Sequence, residues 1–168
     1  MMIIMVMGLP GTGKSYLASK LADRLGGVLL KSDVVRKELG LSNQYSKRDK
    51  MKVYKEMERR AKLVLDKGIP VVLDATFYLI ETRVPFFQLA TNQHTSLVKI
   101  LVKAEENLIS KRMEKPRPDS EANFSVYLKI KKAFDPVLHP YLQLTSNNSN
   151  IKAILQQALN YIQLGEKV

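Results

Sequence analysis

The segment Gly8–Ser15 constrains this chain most, because Gly-Leu-Pro-Gly-Thr-Gly-Lys-Ser fits the pattern G-x-x-x-x-G-K-[ST] at every fixed position. A short apolar run, Ile3–Met7, precedes it, and apolar residues at helical spacing follow it from Leu17 to Leu25. A strand before such a pattern and a helix after it are the context of a phosphate-binding loop. The sequence therefore predicts that Gly8–Ser15, here called the phosphate loop, holds the phosphates of a nucleotide.

Each residue type in the phosphate loop suits this role. Glycines let successive backbone N–H groups point inward at phosphate oxygens, and the helix N-terminus adds a partial positive charge. A lysine supplies a mobile cation for the β- and γ-phosphates, and a serine hydroxyl can ligate Mg²⁺. We expect Mg²⁺ and ATP to be the cofactors, with ATP bound by Gly8, Gly11, Thr12, Gly13, Lys14 and Ser15.

Apolar runs alternate with helical patterns along the whole chain, which favours β-α units and a parallel sheet. Helical spacing is clearest between Met51 and Val64 and between Ile151 and Ile162. We expect one domain over residues 1–168, with a three-layer α/β/α fold. The five predicted strands are Ile3–Met7, Val28–Leu30, Ile69–Leu73, Leu97–Val102 and Tyr141–Thr145.

Composition limits which partners and which cellular compartment we expect for this chain. The chain contains no cysteine, so disulfides and thiolate metal sites are excluded. No apolar stretch is long enough for a membrane span and the start lacks the features of a secretory signal, so we expect a cytoplasmic protein with no membrane partner. The formal net charge is +11, and residues 31–67 carry 12 Lys/Arg against 6 Asp/Glu. That excess indicates either a solvated helix face or a nucleic-acid surface.

Two classes of nucleotide-binding protein do not fit. The letters that match GTPase motifs, Asp23–Gly26 and Ser46–Asp49, stand at the end of the first helix and before the third strand, which are the wrong places. A motor or remodelling ATPase needs a glutamate after the strand-end aspartate, whereas Asp74 is followed by Ala75. Small kinases with an acceptor site and a lid remain.

Three segments, Gly8–Ser15, Lys31–Arg36 and Val71–Phe77, together resemble a group of small P-loop kinases. The group includes the kinase domain of phage-type polynucleotide kinase and the zeta-toxin kinases, and the resemblance covers nearly the whole chain. It implies a P-loop NTPase fold with a five-stranded, mostly parallel sheet in the order 2-3-1-4-5.

Asp33 and Arg36 follow the second predicted strand, at the sheet edge where doubly wound folds bind ligands. A carboxylate there can accept the proton of an attacking hydroxyl, or cap the short helix that follows. The resemblance implies that Asp33 is the general base and that Arg36 contacts the acceptor. Tyr45 either touches the acceptor or packs in the core.

Asp74 ends the third predicted strand, where a buried carboxylate needs a partner. We expect Asp74 to bind Mg²⁺ together with Ser15 and to contact the acceptor, the alternative being a hydrogen bond to Thr76. The chain departs here from the polynucleotide kinases, which have an arginine soon after this aspartate. In this sequence the first arginine after Asp74 is Arg83.

Residues 111–121 are charged, interrupted by prolines and flanked by helical patterns. They form either a mobile surface loop or a lid that excludes water during phosphoryl transfer. A guanidinium matches the charge that spreads over the transferred phosphoryl group. We expect Arg112 to bind the nucleotide and Arg117 to act in catalysis.

These observations predict an ATP-dependent kinase. The acceptor hydroxyl belongs either to a small metabolite or to the 5′ end of a polynucleotide, and the sequence leaves both open. A third interpretation is a non-enzymatic or weakly hydrolytic ATP-binding switch whose basic surface holds a partner. A switch does not need a general base, so Asp33 distinguishes the two classes.

Overall fold

Five parallel strands form one sheet in the order β2-β3-β1-β4-β5. The structure is a computed structural model that describes residues 1–114 and 122–165. The predicted strand order is confirmed, and the sheet is parallel at every described pairing rather than at most of them. The strands are β1 (Met2–Met7), β2 (Val28–Lys31), β3 (Val71–Asp74), β4 (Ser96–Lys103) and β5 (Leu142–Thr145).

Helices connect these strands and cover both faces of the sheet, which gives the expected three layers. They are α1 (Lys14–Leu25), α2 (Ser32–Glu38), α3 (Lys47–Leu65), α4 (Ile80–Asn92), α5 (Glu106–Met113), α6 (Phe124–Lys132) and α7 (Ile151–Gly165). The third strand starts at Val71 rather than at the predicted Ile69, since Pro70 has no N–H to donate to a neighbouring strand.

The central strand, β1, is buried along its whole length. Its alternate side chains enter two separate hydrophobic cores, Ile3 and Met5 on one face and Ile4 and Val6 on the other. The first core packs against α3 and α4, and the second against α1 and α7. Burial on both faces explains why β1 reads in the sequence as an uninterrupted apolar run.

Parallel strands bring their carboxyl ends to one edge of the sheet. Asp74, the last residue of β3, lies in register with Val6 of β1 and with Lys31 of β2. The phosphate loop leaves β1 at this edge, and α2 begins there as well. The fold therefore brings three of the predicted functional segments together at one edge of the sheet.

Candidate functional site

Two glycines fix the path of the phosphate loop. A Cβ atom added at Gly8 would lie 2.3 Å from the main-chain oxygen of Val102 in β4, so no side chain fits there. Gly13 caps α1 with φ 88°, a left-handed conformation that L side chains rarely adopt. The loop is therefore held against β4 at its start and turned into a helix N-terminus at its end.

Helix α5 braces the loop from outside. At Gly11 an added Cβ would lie 2.9 Å from Ile109 Cγ2, and Arg112 Nη1 donates a 3.1 Å hydrogen bond to the Gly11 carbonyl oxygen. The same nitrogen lies 3.2 Å from Ser146 Oγ, and that hydroxyl donates to the carbonyl of Thr12. Two segments that are distant in sequence, α5 and the turn after β5, thus contact carbonyl oxygens of the loop.

The other side of the Arg112 guanidinium contacts the turn between β5 and α7. Its Nε and Nη2 lie 3.3 and 3.2 Å from Asn148 Oδ1. Asn147 Oδ1 orders this turn by accepting a 2.9 Å bond from the Asn150 N–H. Arg112, which we predicted to bind the nucleotide, therefore lies against the phosphate loop and links it to the start of α7.

The remaining loop residues take two different positions. Thr12 is buried, and its hydroxyl donates a 2.8 Å bond to the Leu9 carbonyl inside the loop. Lys14 and Ser15 are the first two residues of α1 and are partly exposed. An ammonium and a hydroxyl thus stand at the positively polarised end of a helix, which suits phosphate oxygens.

Asp74 is buried at the carboxyl edge of the sheet, where it ends β3. The residue is 4% exposed, and its Oδ1 atom has no hydrogen-bond partner. No other buried side-chain nitrogen or oxygen is unpartnered in the part of the chain that the structure describes. Helix α1, which carries Ser15, packs against β3. Because an unpartnered buried carboxylate is costly, this oxygen fits a ligand position for a cation.

Other acidic groups do not complete a protein-only metal cage. Within residues 1–114 and 122–165, no three His, Cys, Asp or Glu side chains cluster closely enough to hold a metal ion. Mg²⁺ commonly takes one or two protein ligands and completes its shell with waters and phosphate oxygens. Asp74 and Ser15 are consistent with a site of that kind.

Asp33 is exposed at the carboxyl end of β2. The cap of α2 is Lys31, so Asp33 lies inside the first turn and does not cap the helix. A carboxylate in the first turn is favoured by the helix dipole and remains accessible to a ligand at the sheet edge. The position fits the predicted base.

Arg36 is buried, at 7% exposure, one turn after Asp33. Its Nη1 donates to the main-chain carbonyl of Gln44, and its Cζ lies 4.5 Å from the centre of the Tyr45 ring. The main-chain oxygen of Arg36 also accepts a 3.0 Å bond from the Leu41 N–H. Arg36 therefore holds the segment between α2 and α3, a role that its sequence position did not indicate.

Arg83 is buried in the protein core and has four main-chain partners. Its guanidinium donates to the carbonyls of Phe77, Tyr78, Asp135 and Pro136 at 2.7, 3.2, 2.7 and 2.7 Å. Burial lowers the pKa of this guanidinium. With its donors committed to the backbone, Arg83 joins the start of α4 to the segment after α6 and is not placed to contact an acceptor.

Several cations of the basic stretch between Lys31 and Lys67 are ion-paired on α3. Arg59 and Arg60 both bond to Glu56, each at 2.8 Å, and these bonds hold the pKa of Glu56 down to about 2. Further cations pair at the ends of the helix, Lys62 with Asp66 at 2.8 Å and Lys47 with Glu81 at 2.8 Å.

A cavity of about 690 Å³ adjoins the phosphate loop at Leu9 and Thr12. Its walls come from the end of β4, from α5 and α6, and from the segment after α6. Asp33, Arg36 and Asp74 do not line it. The cavity therefore lies on the β4–β5 side of the loop, across from the predicted acceptor residues.

The predicted lid is only partly visible. Lys111 and Arg112 belong to α5, and Arg117 lies outside the described residues, as does most of the 111–121 segment. The expectation that Arg117 acts in catalysis stays a prediction. None of the described helices combines the length and the apolar character needed to cross a membrane.

Solved structures of other proteins share this fold at low sequence identity. A sugar kinase from Janibacter sp. HTCC2649 superposes with a TM-score of 0.76 at 14% identity, covering 96% of this chain and 94% of that one. The APS kinase CysC of Mycobacterium tuberculosis, solved with AMPPNP and APS, superposes with a TM-score of 0.76 at 19% identity, covering 96% and 97%.

Sequence comparison identifies the family. An uncharacterised protein of Mycobacterium tuberculosis (strain ATCC 25618 / H37Rv) is 32% identical over 123 residues, which are 66% of this chain and 25% of that protein. The chain thus spans about a quarter of that relative's length. The family model AAA_33, described as an AAA domain, matches residues 3–137. Since the match covers most of the chain, including the phosphate loop, Asp33 and Asp74, the protein belongs to the AAA_33 family of AAA domains.

Proposed function

We propose that this protein is an ATP-dependent kinase that transfers the γ-phosphoryl group of ATP to an acceptor hydroxyl. The observation that carries the proposal is the buried, unpartnered Oδ1 of Asp74 at the sheet edge from which the phosphate loop leaves. A buried carboxylate without a partner beside a phosphate-binding loop is the residue that a nucleotide-bound cation requires. Asp74 and Ser15 would hold Mg²⁺ there.

The phosphate loop binds and orients the nucleotide. Its amides and the N-terminus of α1 hold the phosphates, and Lys14 places a positive charge near the β- and γ-phosphates. Bound Mg²⁺ supplies further neutralisation of the phosphate charge. Arg112 keeps the loop in shape through the Gly11 carbonyl.

Asp33 accepts the proton of the attacking hydroxyl in this mechanism. Its carboxylate is exposed at the end of β2, one strand from Asp74 in β3, at the sheet edge from which the phosphate loop leaves, and this supports the assignment. General-base catalysis of this kind contributes roughly 10²–10⁴-fold to the rate. The arrangement follows the polynucleotide kinases and zeta-toxin kinases that the sequence resembles, and Arg117 would neutralise charge on the transferred group.

We further propose a small-molecule acceptor ahead of a polynucleotide 5′-hydroxyl. Nucleic-acid backbones are bound by cations that are available to phosphates. On α3, however, Arg59 and Arg60 are bonded to Glu56, and Lys62 to Asp66. Two proteins of similar fold, a sugar kinase and an APS kinase, also support a small acceptor.

The test uses the purified protein with labelled ATP. Calorimetry measures binding of Mg-ATP to the wild type, Lys14→Ala and Asp33→Asn, and label transfer is followed against metabolite pools and oligonucleotides. We expect Lys14→Ala to lose ATP binding. Asp33→Asn should keep ATP binding and lose transfer by roughly 10²–10⁴-fold.

Two results would contradict the proposal. Lys14→Ala that binds Mg-ATP as the wild type does would remove the phosphate loop from nucleotide binding. Normal ATP binding with no transfer to any acceptor, and no effect of Asp33→Asn on slow hydrolysis, would favour the ATP-binding switch instead.

A further inference from the structure

Tyr45 is an exposed aromatic residue held in place by a buried cation. Tyr45 is 46% exposed. It directly precedes Ser46, the residue that caps the N-terminus of α3. One face of its ring lies over the Arg36 guanidinium, with 4.5 Å between Cζ and the ring centre. Arg36 itself is 7% exposed and is bonded to the Gln44 carbonyl, the residue before Tyr45.

The position of this ring relates to the proposed base. Asp33 and Arg36 are three residues apart on α2, so their side chains leave the same face of the helix. The Arg36 side chain reaches from that face to Tyr45. The ring therefore lies on the side of α2 from which the Asp33 side chain also leaves.

Resting on the proposed kinase function, we propose that Tyr45 is the stacking surface for an aromatic ring of the acceptor and that Arg36 is a positioning residue that holds it. Aromatic rings stack on the exposed face of tyrosine in offset geometry. A cation on the opposite face draws the π electrons away from the exposed face, which disfavours a cationic ligand and favours a neutral, electron-rich ring. The acceptor class is a neutral molecule that carries both an aromatic ring and a hydroxyl group. A nucleoside is such a molecule, with its hydroxyls on the sugar and a planar base as the ring.

This role differs from a direct contact between Arg36 and the acceptor. The Arg36 guanidinium is buried and already engages the Gln44 carbonyl and the Tyr45 ring. A substitution at Arg36 should therefore raise the acceptor KM through Tyr45. Base–aromatic stacking supports an effect of roughly tenfold on acceptor KM when the ring is removed.

The chain contains no tryptophan, so Tyr45→Trp places a single tryptophan at the proposed surface, and its fluorescence can be followed in the test. The protein is saturated with Mg-AMPPNP and titrated with adenosine, thymidine, glucose and a 5′-hydroxyl oligothymidylate. We expect saturable quenching by the nucleosides and none by glucose. Leu63→Trp, at a residue of α3 that is 50% exposed, is the control and should not respond.

Kinetics with a nucleoside that binds then separate positioning from simple structural loss. Tyr45→Phe should keep the acceptor KM, whereas Tyr45→Leu should raise it roughly tenfold with little change in the Kd of Mg-AMPPNP. Arg36→Met should raise the acceptor KM as well. The double variant Arg36→Met/Tyr45→Leu should have an acceptor KM close to that of Tyr45→Leu alone, because both changes remove the same stacking surface.

The outcomes are distinguishable. Quenching by the oligonucleotide as well as the nucleosides supports the stacking surface and shows that the base can lie at a polynucleotide end. Normal Mg-AMPPNP binding with no quenching by any nucleoside or oligonucleotide, or with quenching by glucose alone, overturns the inference and leaves the kinase proposal standing. A protein that does not bind Mg-AMPPNP removes the kinase proposal and this inference together.

Discussion

Arg112 Nη1 donates a 3.1 Å hydrogen bond to the carbonyl oxygen of Gly11, a residue 101 positions earlier in the chain. The amides of a phosphate-binding loop can point inward only if its carbonyls point outward, where they need other partners. Arg112 supplies one such partner, and the Ser146 hydroxyl supplies another at Thr12. The shape of the phosphate loop is therefore maintained from α5 and from the turn before α7.

Replacing Arg112 with methionine should weaken nucleotide binding. The change keeps the aliphatic length and removes the donors to Gly11, Ser146 and Asn148. We expect the Kd of Mg-ATP to rise by roughly tenfold, the equivalent of one charge-assisted hydrogen bond. Calorimetry measures this, with Lys111→Met as the matched control because Lys111 is an exposed neighbour on α5. Equal affinities for the two variants would contradict the role.

Asp74→Asn should stabilise the ligand-free protein while impairing its function. The substitution removes a charge from a buried position where Oδ1 has no partner. We expect the free energy of unfolding to rise by about 1 kcal/mol and the Mg²⁺ dependence of nucleotide binding to disappear. Urea denaturation without ligand and calorimetry with and without Mg²⁺ provide the two measurements. A loss of stability in the ligand-free variant would show that the carboxylate has a structural partner instead.

Arg83→Met should destabilise the fold strongly. It leaves the carbonyls of Phe77, Asp135 and Pro136 without the donor that joins α4 to the segment after α6. Loss of a buried network of this kind costs about 3 kcal/mol or more. Chemical denaturation should show the loss, and Arg24→Met, at an exposed position of α1, should cost far less. A small loss at Arg83 would mean that water replaces the guanidinium without penalty.

Glu56 should contribute stability that depends on pH. Its hydrogen bonds from Arg59 and Arg60 hold its pKa at about 2, below the ordinary value of 4.5. A lowered folded-state pKa gives stability that is present above pH 4.5 and is lost as the pH falls toward 2. Because the pair is solvent-screened, we expect less than about 1 kcal/mol.

The measurement for Glu56 is the difference in Tm between the wild type and Glu56→Gln at successive pH values. The difference should shrink as the pH is lowered from 6 toward about 2, because both side chains are then uncharged. Glu58→Gln is the control on the same helix. A constant difference for Glu56→Gln would contradict the assignment.

Local patterns were sufficient to predict the phosphate loop and the strands. Residues Ile3–Met7 are buried on both faces of the sheet, and such a strand reads as an apolar run in any sequence. The strand order came from the family resemblance, because hydrophobic spacing does not specify which strands are neighbours.

Contacts between distant segments were not predictable. Arg112 was expected to bind nucleotide, but its bond to the Gly11 carbonyl depends on where α5 packs. Arg36 was expected to contact an acceptor, and only the fold shows that its guanidinium is buried against Gln44 and Tyr45. Tyr45 was expected either to touch the acceptor or to pack in the core, and the fold shows its ring exposed, with the Arg36 guanidinium over one face.

Strand β1 has a neighbour on each side, β3 and β4, and helices over both faces. Its amide hydrogens can therefore exchange with solvent only when the whole sheet opens, so they should be among the slowest to take up deuterium. The phosphate loop begins at the end of this strand. Fraying of the sheet margin at β2 would then pass without moving the strand from which the loop leaves, whereas fraying of β5 would release the Ser146 and Asn148 contacts beside the loop, so the nucleotide pocket should lose its shape from the β5 margin first.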